Sequence, residues 1–266
     1  MSDSDKVFET ATAAARAGGD VLLKYFGDVS IHEKSTQNLV TQADFDSEAL
    51  VVKMISQRYP DHQVMREEGE STGSSSSEHL WIIDPLDGTN NYAHGLPHFC
   101  ISVAYAYRGR VQVGVVFDPI RKEMFSAIRG QGAQLNEQKM AVSQAEELTQ
   151  SLVATGFFYE RGEVMLKTVD AIRDLFLVNV RGVRRMGAAA LDLTWVACGR
   201  MEGFFEYRLA PWDFAAGWLI VEEAGGVCRN SAGAELALDS NGIIATCPGI
   251  TEKLTEVVGW KASEAD

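Results

Sequence analysis

Cysteine, long apolar runs and positive charge are all scarce in this chain of 266 residues. The four cysteines are scattered and form no CxxC pair, which favours buried reduced thiols over zinc ligands or disulfides. No apolar run approaches the length of a membrane span. Lysine and arginine number 24 against 37 acidic residues, so the formal net charge is −13. This charge argues against nonspecific nucleic-acid binding and against an anionic membrane surface.

The remaining composition is that of an ordinary soluble protein, with 46% hydrophobic and 23% charged residues. The first residues, MSDSDK, lead into an amphipathic helix and not into an apolar signal region. We therefore expect a cytoplasmic protein without a membrane partner. The length allows a substantial core, and we expect residues 1–266 to form a single domain with halves at about 1–138 and 139–266.

Hydrophobic periodicity predicts helices alternating with strands along the chain. Helices are predicted at 5–26, 44–58, 163–176, 188–199, 212–224 and 250–260. Strands are predicted at 63–65, 81–83, 100–107, 111–117, 124–128, 152–155, 179–183, 203–206 and 242–246. Residues 28–38 and 71–77 are predicted to be surface loops. Antiparallel strands followed by strand–helix alternation indicate an α/β protein of layered sheets and helices.

The most informative segment begins with the apolar strand at residues 81–83, which runs into Asp84 and Asp87 and then into Gly88 and Thr89. Pro85 fixes its own φ and biases Asp84 toward extended backbone, which helps to hold both carboxylates on one side of a tight turn. Carboxylates suit a hard divalent cation, and the short helix-like stretch that follows offers an N-terminus to a phosphate.

Further acidic residues lie at element boundaries beside apolar runs. They are Asp44 and Asp213 at helix starts, and Glu67 and Glu68 after a strand. Each alone has a structural explanation, since first-turn acids cap helices and paired glutamates are common on surfaces. Together they predict a shared cleft. Without His or Cys at matching spacing, the ligands suit Mg²⁺ or Mn²⁺ and disfavour zinc. Two ions about 3.5–4 Å apart would activate a water and stabilise the departing oxygen of a phosphate ester.

Five ordered motifs give the chain a close resemblance to the inositol monophosphatase family of Mg²⁺-dependent phosphatases. They are LVTQAD at 39–44, WIIDPLDGTNNY at 81–92, GAAALD at 187–192, PWDFAAG at 211–217 and EEAGG at 222–226. The resemblance covers nearly the whole chain and is greatest to bacterial inositol-1-monophosphatases. It implies the five-layer αβαβα sandwich that this family shares with fructose-1,6-bisphosphatases. It also implies a homodimer and inhibition by lithium.

The resemblance also implies a role for each motif position. Two or three Mg²⁺ ions, for which Mn²⁺ could substitute, would be held by Glu67, Asp84, the Leu86 carbonyl, Asp87 and Asp213. Asp84 would bridge the first and second ions. The implied catalytic residues are Asp44 and Thr89, which would orient the nucleophilic water, together with Glu67. The implied substrate contacts are Asp87, Gly88, Thr89, Ala189, Glu206 and Asp213.

The implied reaction is hydrolysis of a small phosphate monoester by metal-activated water, without a covalent intermediate. Myo-inositol 1-phosphate is the leading substrate, and other phosphorylated polyols or sugars are related candidates. Alternatives within the superfamily are fructose-1,6-bisphosphatase, histidinol-phosphate phosphatase and nucleotide 3′-phosphatase. Outside it, the chain could be a binding protein that lost catalysis, or a partner of RNA machinery through protein contacts, since the net charge disfavours direct nucleic-acid binding.

Some positions depart from the family pattern. Arg66 replaces a glycine, which leaves open whether Glu67 or Glu68 is the metal ligand. Ala188 replaces a common hydroxyl residue. His94 and His98 are interpreted as structural or rim residues. Arg184 and Arg185 could clamp a substrate or pair with acids at a subunit contact, and the second interpretation is favoured.

Overall fold

Two β-sheets and the helices that cover them make up the structure, a computed structural model that describes residues 3–27, 31–35, 38–158 and 161–260. The strands are β1 (Ile31–Ser35), β2 (Asn38–Thr41), β3 (Gln63–Arg66), β4 (His79–Asp87), β5 (Cys100–Tyr107), β6 (Arg110–Asp118), β7 (Glu123–Ile128), β8 (Ala133–Leu135), β9 (Gln138–Lys139), β10 (Leu152–Thr155), β11 (Gly182–Arg184), β12 (Gly203–Glu206), β13 (Val227–Asn230) and β14 (Ile243–Thr246). The helices are α1 (Asp3–Tyr25), α2 (Gln42–Arg58), α3 (Thr89–Ala93), α4 (Glu163–Leu177), α5 (Ala189–Ala197), α6 (Pro211–Glu223) and α7 (Thr251–Val258).

The first sheet contains β3 to β9 in chain order, and only the pair β3–β4 is parallel. The predicted hairpin between β5 and β6 is confirmed: Arg108 and Gly109 both have positive φ, at 49° and 76°, which matches the twist of a tight hairpin. The second sheet has the order β11-β10-β12-β14-β13. There β10 pairs in parallel with both β11 and β12, as strand–helix alternation predicts.

Five layers follow from the contacts between elements. Helices α1 and α2 pack on the outer face of the first sheet, and α5 and α6 lie between the two sheets. Helix α7 packs against β14 and α4, on the outer side of the second sheet. The αβαβα sandwich implied by the resemblance is therefore present.

Strand β4 explains why its sequence is an unbroken apolar run. Trp81 and Ile83 enter the cluster under α1 and α2, whereas Leu80 and Ile82 enter the cluster between the sheets. A strand covered on both faces needs apolar residues at every position. Among the described residues no helix combines the length and apolar character that crossing a membrane requires.

Two predictions about local structure were wrong. Residues 28–38 were expected to form a loop, but the described residues 31–35 pair antiparallel with β2. The β1 sequence, IHEKS, has a single apolar residue and therefore no alternating pattern from which a strand could be predicted. The strand expected at 179–183 begins only at Gly182, because Asn179 ends α4 in the left-handed conformation, with φ of 60°.

Candidate active site

A β-bulge brings Asp84 and Asp87 to one face of the first sheet. Asp84 pairs with Ser102 of β5 and Asp87 pairs with Cys100. The two aspartates are three positions apart on β4 but their partners are only two positions apart on β5, so β4 contains one extra residue. Residues three apart on a regular strand point to opposite faces, and the extra residue reverses this parity. The sequence predicted one-sided carboxylates through a tight turn. The structure reaches that result within a continuous strand, with the Leu86 N–H donating to Asp84 Oδ1 at 2.9 Å.

The first turn of α5 fixes Asp87. The backbone N–H groups of Ala189 and Ala190 donate to its two carboxylate oxygens at 3.1 and 2.7 Å. These amides are the unpaired donors at a helix start, where a negative charge is favoured. Asp87 therefore joins the first sheet to the layer between the sheets.

Asp44 and Thr89 meet beneath the bulge. Thr89 Oγ1 lies 3.3 Å from Asp44 Oδ1 and 3.0 Å from the Leu86 carbonyl oxygen. The other Asp44 oxygen accepts from the backbone N–H and hydroxyl of Thr41 at 2.8 and 2.6 Å. This is a capping box at the start of α2, so the structural interpretation of Asp44 is confirmed. Burial raises the Asp44 pKa to about 6, against the lowering effect of the Thr41 hydrogen bonds.

Asp213 is held in the same way at the start of α6, where one of its oxygens accepts from the Ala210 N–H at 2.7 Å. Glu67 lines the same cavity, and its charge raises the pKa of Asp213 and Asp84 after the larger effect of burial. Glu68 instead acts on Asp44, and its N–H donates to Glu48 at 2.9 Å. Of the two glutamates, Glu67 is the one that lines the cavity and acts on Asp84 and Asp213.

These carboxylates repel one another in a dry environment. Asp84 is almost fully buried and Asp213 is partly buried. The pKa of each lies well above the usual range, first because of burial and then because of neighbouring carboxylates. Burial also raises the Asp87 pKa, although the Ala190 amide partly offsets the effect. Such a cluster is stable with all its charges only if a cation compensates them.

The donors present fit Mg²⁺ or Mn²⁺. They are carboxylate oxygens and the Leu86 carbonyl, which already accepts a hydroxyl hydrogen bond and so has its oxygen directed toward Thr89. No group of three or more His, Cys, Asp or Glu side chains in the described chain is arranged as a ready-made metal site. The fit therefore rests on donor chemistry and on the mutual repulsion of the buried carboxylates.

A cavity of about 310 Å³ lies over this cluster. Most residues predicted for the site line it, namely Glu67, Asp87, Gly88, Thr89, Ala189, Glu206 and Asp213. Asp84, Leu86 and Asp44 lie directly behind this lining. Gly88 is required there, because its φ is +95° and a Cβ would lie 3.0 Å from the His98 carbonyl oxygen.

The cavity lining also contains residues that the sequence did not mark as functional. They are Gly156, Phe157, Phe158 and Arg208, and the Arg208 guanidinium lies 5.0 Å above the Phe158 ring. Arg185, which was assigned to a subunit contact, also lines the cavity. The only signal in the sequence was the GFF segment after β10, which on its own indicates nothing more than a strand end.

Glu206 lies at the end of β12 and lines the cavity. Its side chain is buried, and burial raises its pKa to about 8, opposed by the nearby charge of Arg185. A buried carboxylate at a cavity wall is suited to accept a hydrogen bond from a hydroxyl group of a ligand.

Two layered sheets, an acidic cluster at their junction and a cavity over that cluster define the class of αβαβα phosphatases. The chain belongs to the inositol monophosphatase family, whose model matches residues 3–261.

Relatives and solved structures agree with this membership. A Nus factor SuhB from Pasteurella multocida is 40% identical over 247 residues, which are 92% of each chain. The crystal structure of the extragenic suppressor protein suhB from Bartonella henselae has a TM-score of 0.90 and 34% identity, and covers 97% of this chain and 100% of its own. An inositol monophosphatase from Anabaena has a TM-score of 0.84 and 38% identity over 96% of both chains.

Proposed function

We propose that this protein is a Mg²⁺-dependent phosphomonoesterase, with myo-inositol 1-phosphate as its leading substrate. One observation carries the proposal: acidic side chains from separate segments meet at the floor of a single cavity. Glu67, Asp84, the Leu86 carbonyl, Asp87 and Asp213 would hold the ions, with Glu67 preferred over Glu68 because its charge acts on the aspartates. Bound ions supply Lewis acidity toward water and phosphate and offset the carboxylate charge.

The chain's own residues orient the reaction. Thr89 and Asp44 form a hydrogen-bonded pair at the cavity floor and would hold the attacking water by accepting and passing on its protons. The backbone amides of Gly88 and Thr89 would receive the phosphate oxygens. On the leaving side, Ala189 and Glu206 would contact the alcohol part of the ester, with Glu206 accepting from a hydroxyl group.

The name of the Anabaena relative supports the choice of an inositol phosphate. Two guanidinium groups, Arg185 and Arg208, line the same cavity and would suit a second anionic group on the substrate. Fructose 1,6-bisphosphate is therefore the first alternative. A single domain, a homodimer, lithium inhibition and a cytoplasmic location complete the proposal, supported by the family membership.

A phosphate-release screen with Mg²⁺ tests the proposal. Inositol 1-phosphate, fructose 1,6-bisphosphate, histidinol phosphate and nucleotide 3′-phosphates would be compared by kcat/KM, and inositol 1-phosphate should rank first.

Asp87→Asn should lower kcat/KM for inositol 1-phosphate at least about a hundredfold, because a ligand oxygen is lost. The matched control is Asp239→Asn, an exposed aspartate away from the cavity. A strong preference for histidinol phosphate, or an active Asp87→Asn variant, would overturn the assignment.

A second role is suggested by relatives that are named Nus factors. We infer that any such role of this chain uses a protein partner, since a net charge of −13 opposes direct contact with RNA. Complementation of a strain that lacks the gene, by wild type and by Asp87→Asn, separates the two roles. Rescue by the inactive variant would show a function independent of hydrolysis, and its failure would tie the phenotype to the phosphatase site.

A further inference from the structure

Gly156 is the neighbour of Glu206 across the second sheet. Thr155, the last residue of β10, pairs with Phe205 of the parallel strand β12, so the next positions along the two strands are Gly156 and Glu206. Residues at matched register on neighbouring strands point to the same face of a sheet. A side chain at position 156 would therefore lie on the face that carries the Glu206 side chain.

The carboxylate of Glu206 occupies the space that such a side chain would need. A Cβ added to Gly156 would lie 1.9 Å from Oε2 of Glu206, 2.4 Å from its Cδ and 2.7 Å from its Oε1. All three distances are shorter than the 3.0 Å that real Cβ atoms respect. Gly156 does not have a positive φ, so a side chain here would disturb the position of the Glu206 carboxylate and not the backbone conformation.

We propose that Gly156 is a specificity-determining positioning residue, because its missing side chain lets Glu206 lie across the end of β10 and face the cavity. Any larger residue would push the carboxylate away from the alcohol part of the substrate. The inference rests on the proposed function, since it takes Glu206 as the contact for that alcohol. It assigns the site to esters whose alcohol carries a hydroxyl group that can donate to Glu206. An ester without one gains nothing from this arrangement.

Two substrates measure this selectivity: inositol 1-phosphate, whose ring carries hydroxyl groups, and phenyl phosphate, whose ring carries none. We expect Gly156→Ala to lower the ratio of their kcat/KM values about tenfold, and Glu206→Gln to lower it similarly. The control is Gly182→Ala in the neighbouring strand β11, where an added Cβ would lie 3.1 Å from Arg184 and 3.4 Å from Leu152, beyond the 3.0 Å limit. A wild-type ratio in Gly156→Ala would overturn the proposal.

A double-mutant cycle tests the contact itself through thermal unfolding. Gly156→Ala should lower Tm in the wild-type background and should cost much less in a Glu206→Ala background, because the carboxylate is then absent. An equal loss in both backgrounds would show that the added methyl group clashes elsewhere and would overturn the proposal. If wild type hydrolyses none of the monoesters, the proposed function fails, whereas the cycle still reports on the contact between Gly156 and Glu206.

Discussion

The single hydroxyl proton of Thr89 has two acceptors within reach, Asp44 Oδ1 at 3.3 Å and the Leu86 carbonyl oxygen at 3.0 Å. If the pair orients the attacking water, removing the hydroxyl should act on the chemical step more than on substrate binding. We predict that Thr89→Val lowers kcat by about two to four orders of magnitude, while KM changes only a few-fold. Initial rates of phosphate release at saturating Mg²⁺ measure both constants.

The matched control keeps the hydroxyl group. Thr89→Ser should retain activity within about tenfold of wild type, since it loses only a methyl group from a site that is largely buried. If Thr89→Val and Thr89→Ser lose activity equally, packing and not the hydroxyl is responsible, and the water-orienting role of Thr89 is rejected.

For single residues, the sequence identified the acidic side chains of the site but did not predict the direction in which they point. Asp84 and Asp87 could be selected from their spacing and surroundings, whereas the bulge that turns both to one face depends on pairing with β5. Gly156 could not be predicted as a site residue, because its role depends on the side chain of Glu206, which lies fifty positions later in the chain. Contacts of that kind exist only in the folded sheet.

A column of aromatic rings joins the end of α2 to the edge of the first sheet. His62 stacks on His79 with ring centroids 4.4 Å apart, and on Tyr59 at 4.7 Å. The indole N–H of Trp81 donates to His62 Nδ1 at 3.1 Å, so that nitrogen acts as an acceptor and the ring is neutral. Burial lowers the His62 pKa, and the nearby His79 lowers it further, against the opposite effect of Asp61.

A lowered histidine pKa makes the fold sensitive to acid. The unfolded chain binds the proton more readily than the native protein, so the His62 contribution is complete above the usual pKa of about 6.5 and is lost as pH falls below it. We predict that Tm drops less between pH 7 and pH 5 in His62→Phe than in wild type. Comparing variant with wild type removes the contribution of the site carboxylates, which titrate in both proteins.

The control for this element is His94→Phe, since His94 is exposed and outside the aromatic column. It should reproduce the wild-type change of Tm with pH. His62→Phe is expected to be less stable than wild type at neutral pH, because Trp81 loses its acceptor. A pH dependence identical to wild type in His62→Phe would contradict the prediction, whatever its Tm at pH 7.

Helices and strands could be predicted where an apolar pattern or a turn residue in the sequence reflects their burial and their ends. Strand β5 was placed at its observed residues because an apolar run ends at the turn of Arg108 and Gly109. The pair of β1 and β2 was missed, as was β13, which lies at the sheet edge and is only partly buried. Edge strands are paired on one side only, and their sequences carry a weaker apolar pattern.

At the scale of the whole molecule, the site is the place where separate layers meet. Asp84 and Asp87 belong to the first sheet, Asp213 to a helix between the sheets, and Glu206 to the second sheet. Sequence motifs implied this meeting only through the family resemblance, since nothing in local periodicity fixes how two sheets are placed. The carboxylates repel one another across these boundaries, which costs stability at the place where the function is proposed.

That repulsion gives a prediction about global stability. A cation that binds the native cluster and not the unfolded chain stabilises the fold by about 2.7 kcal/mol at a hundred times its Kd, which corresponds to about 5–10 °C in Tm for a chain of this size. We predict a rise in Tm of that order when Mg²⁺ is added to protein treated with EDTA, measured by thermal unfolding without substrate.

Sodium chloride at equal ionic strength is the control for charge screening, and it should give little of the rise in Tm. Asp213→Asn should reduce the Mg²⁺ effect, because one of the proposed ligands loses its charge. If Mg²⁺ and sodium chloride shift Tm equally, the layers are not joined by a bound cation and the proposed metal site is rejected.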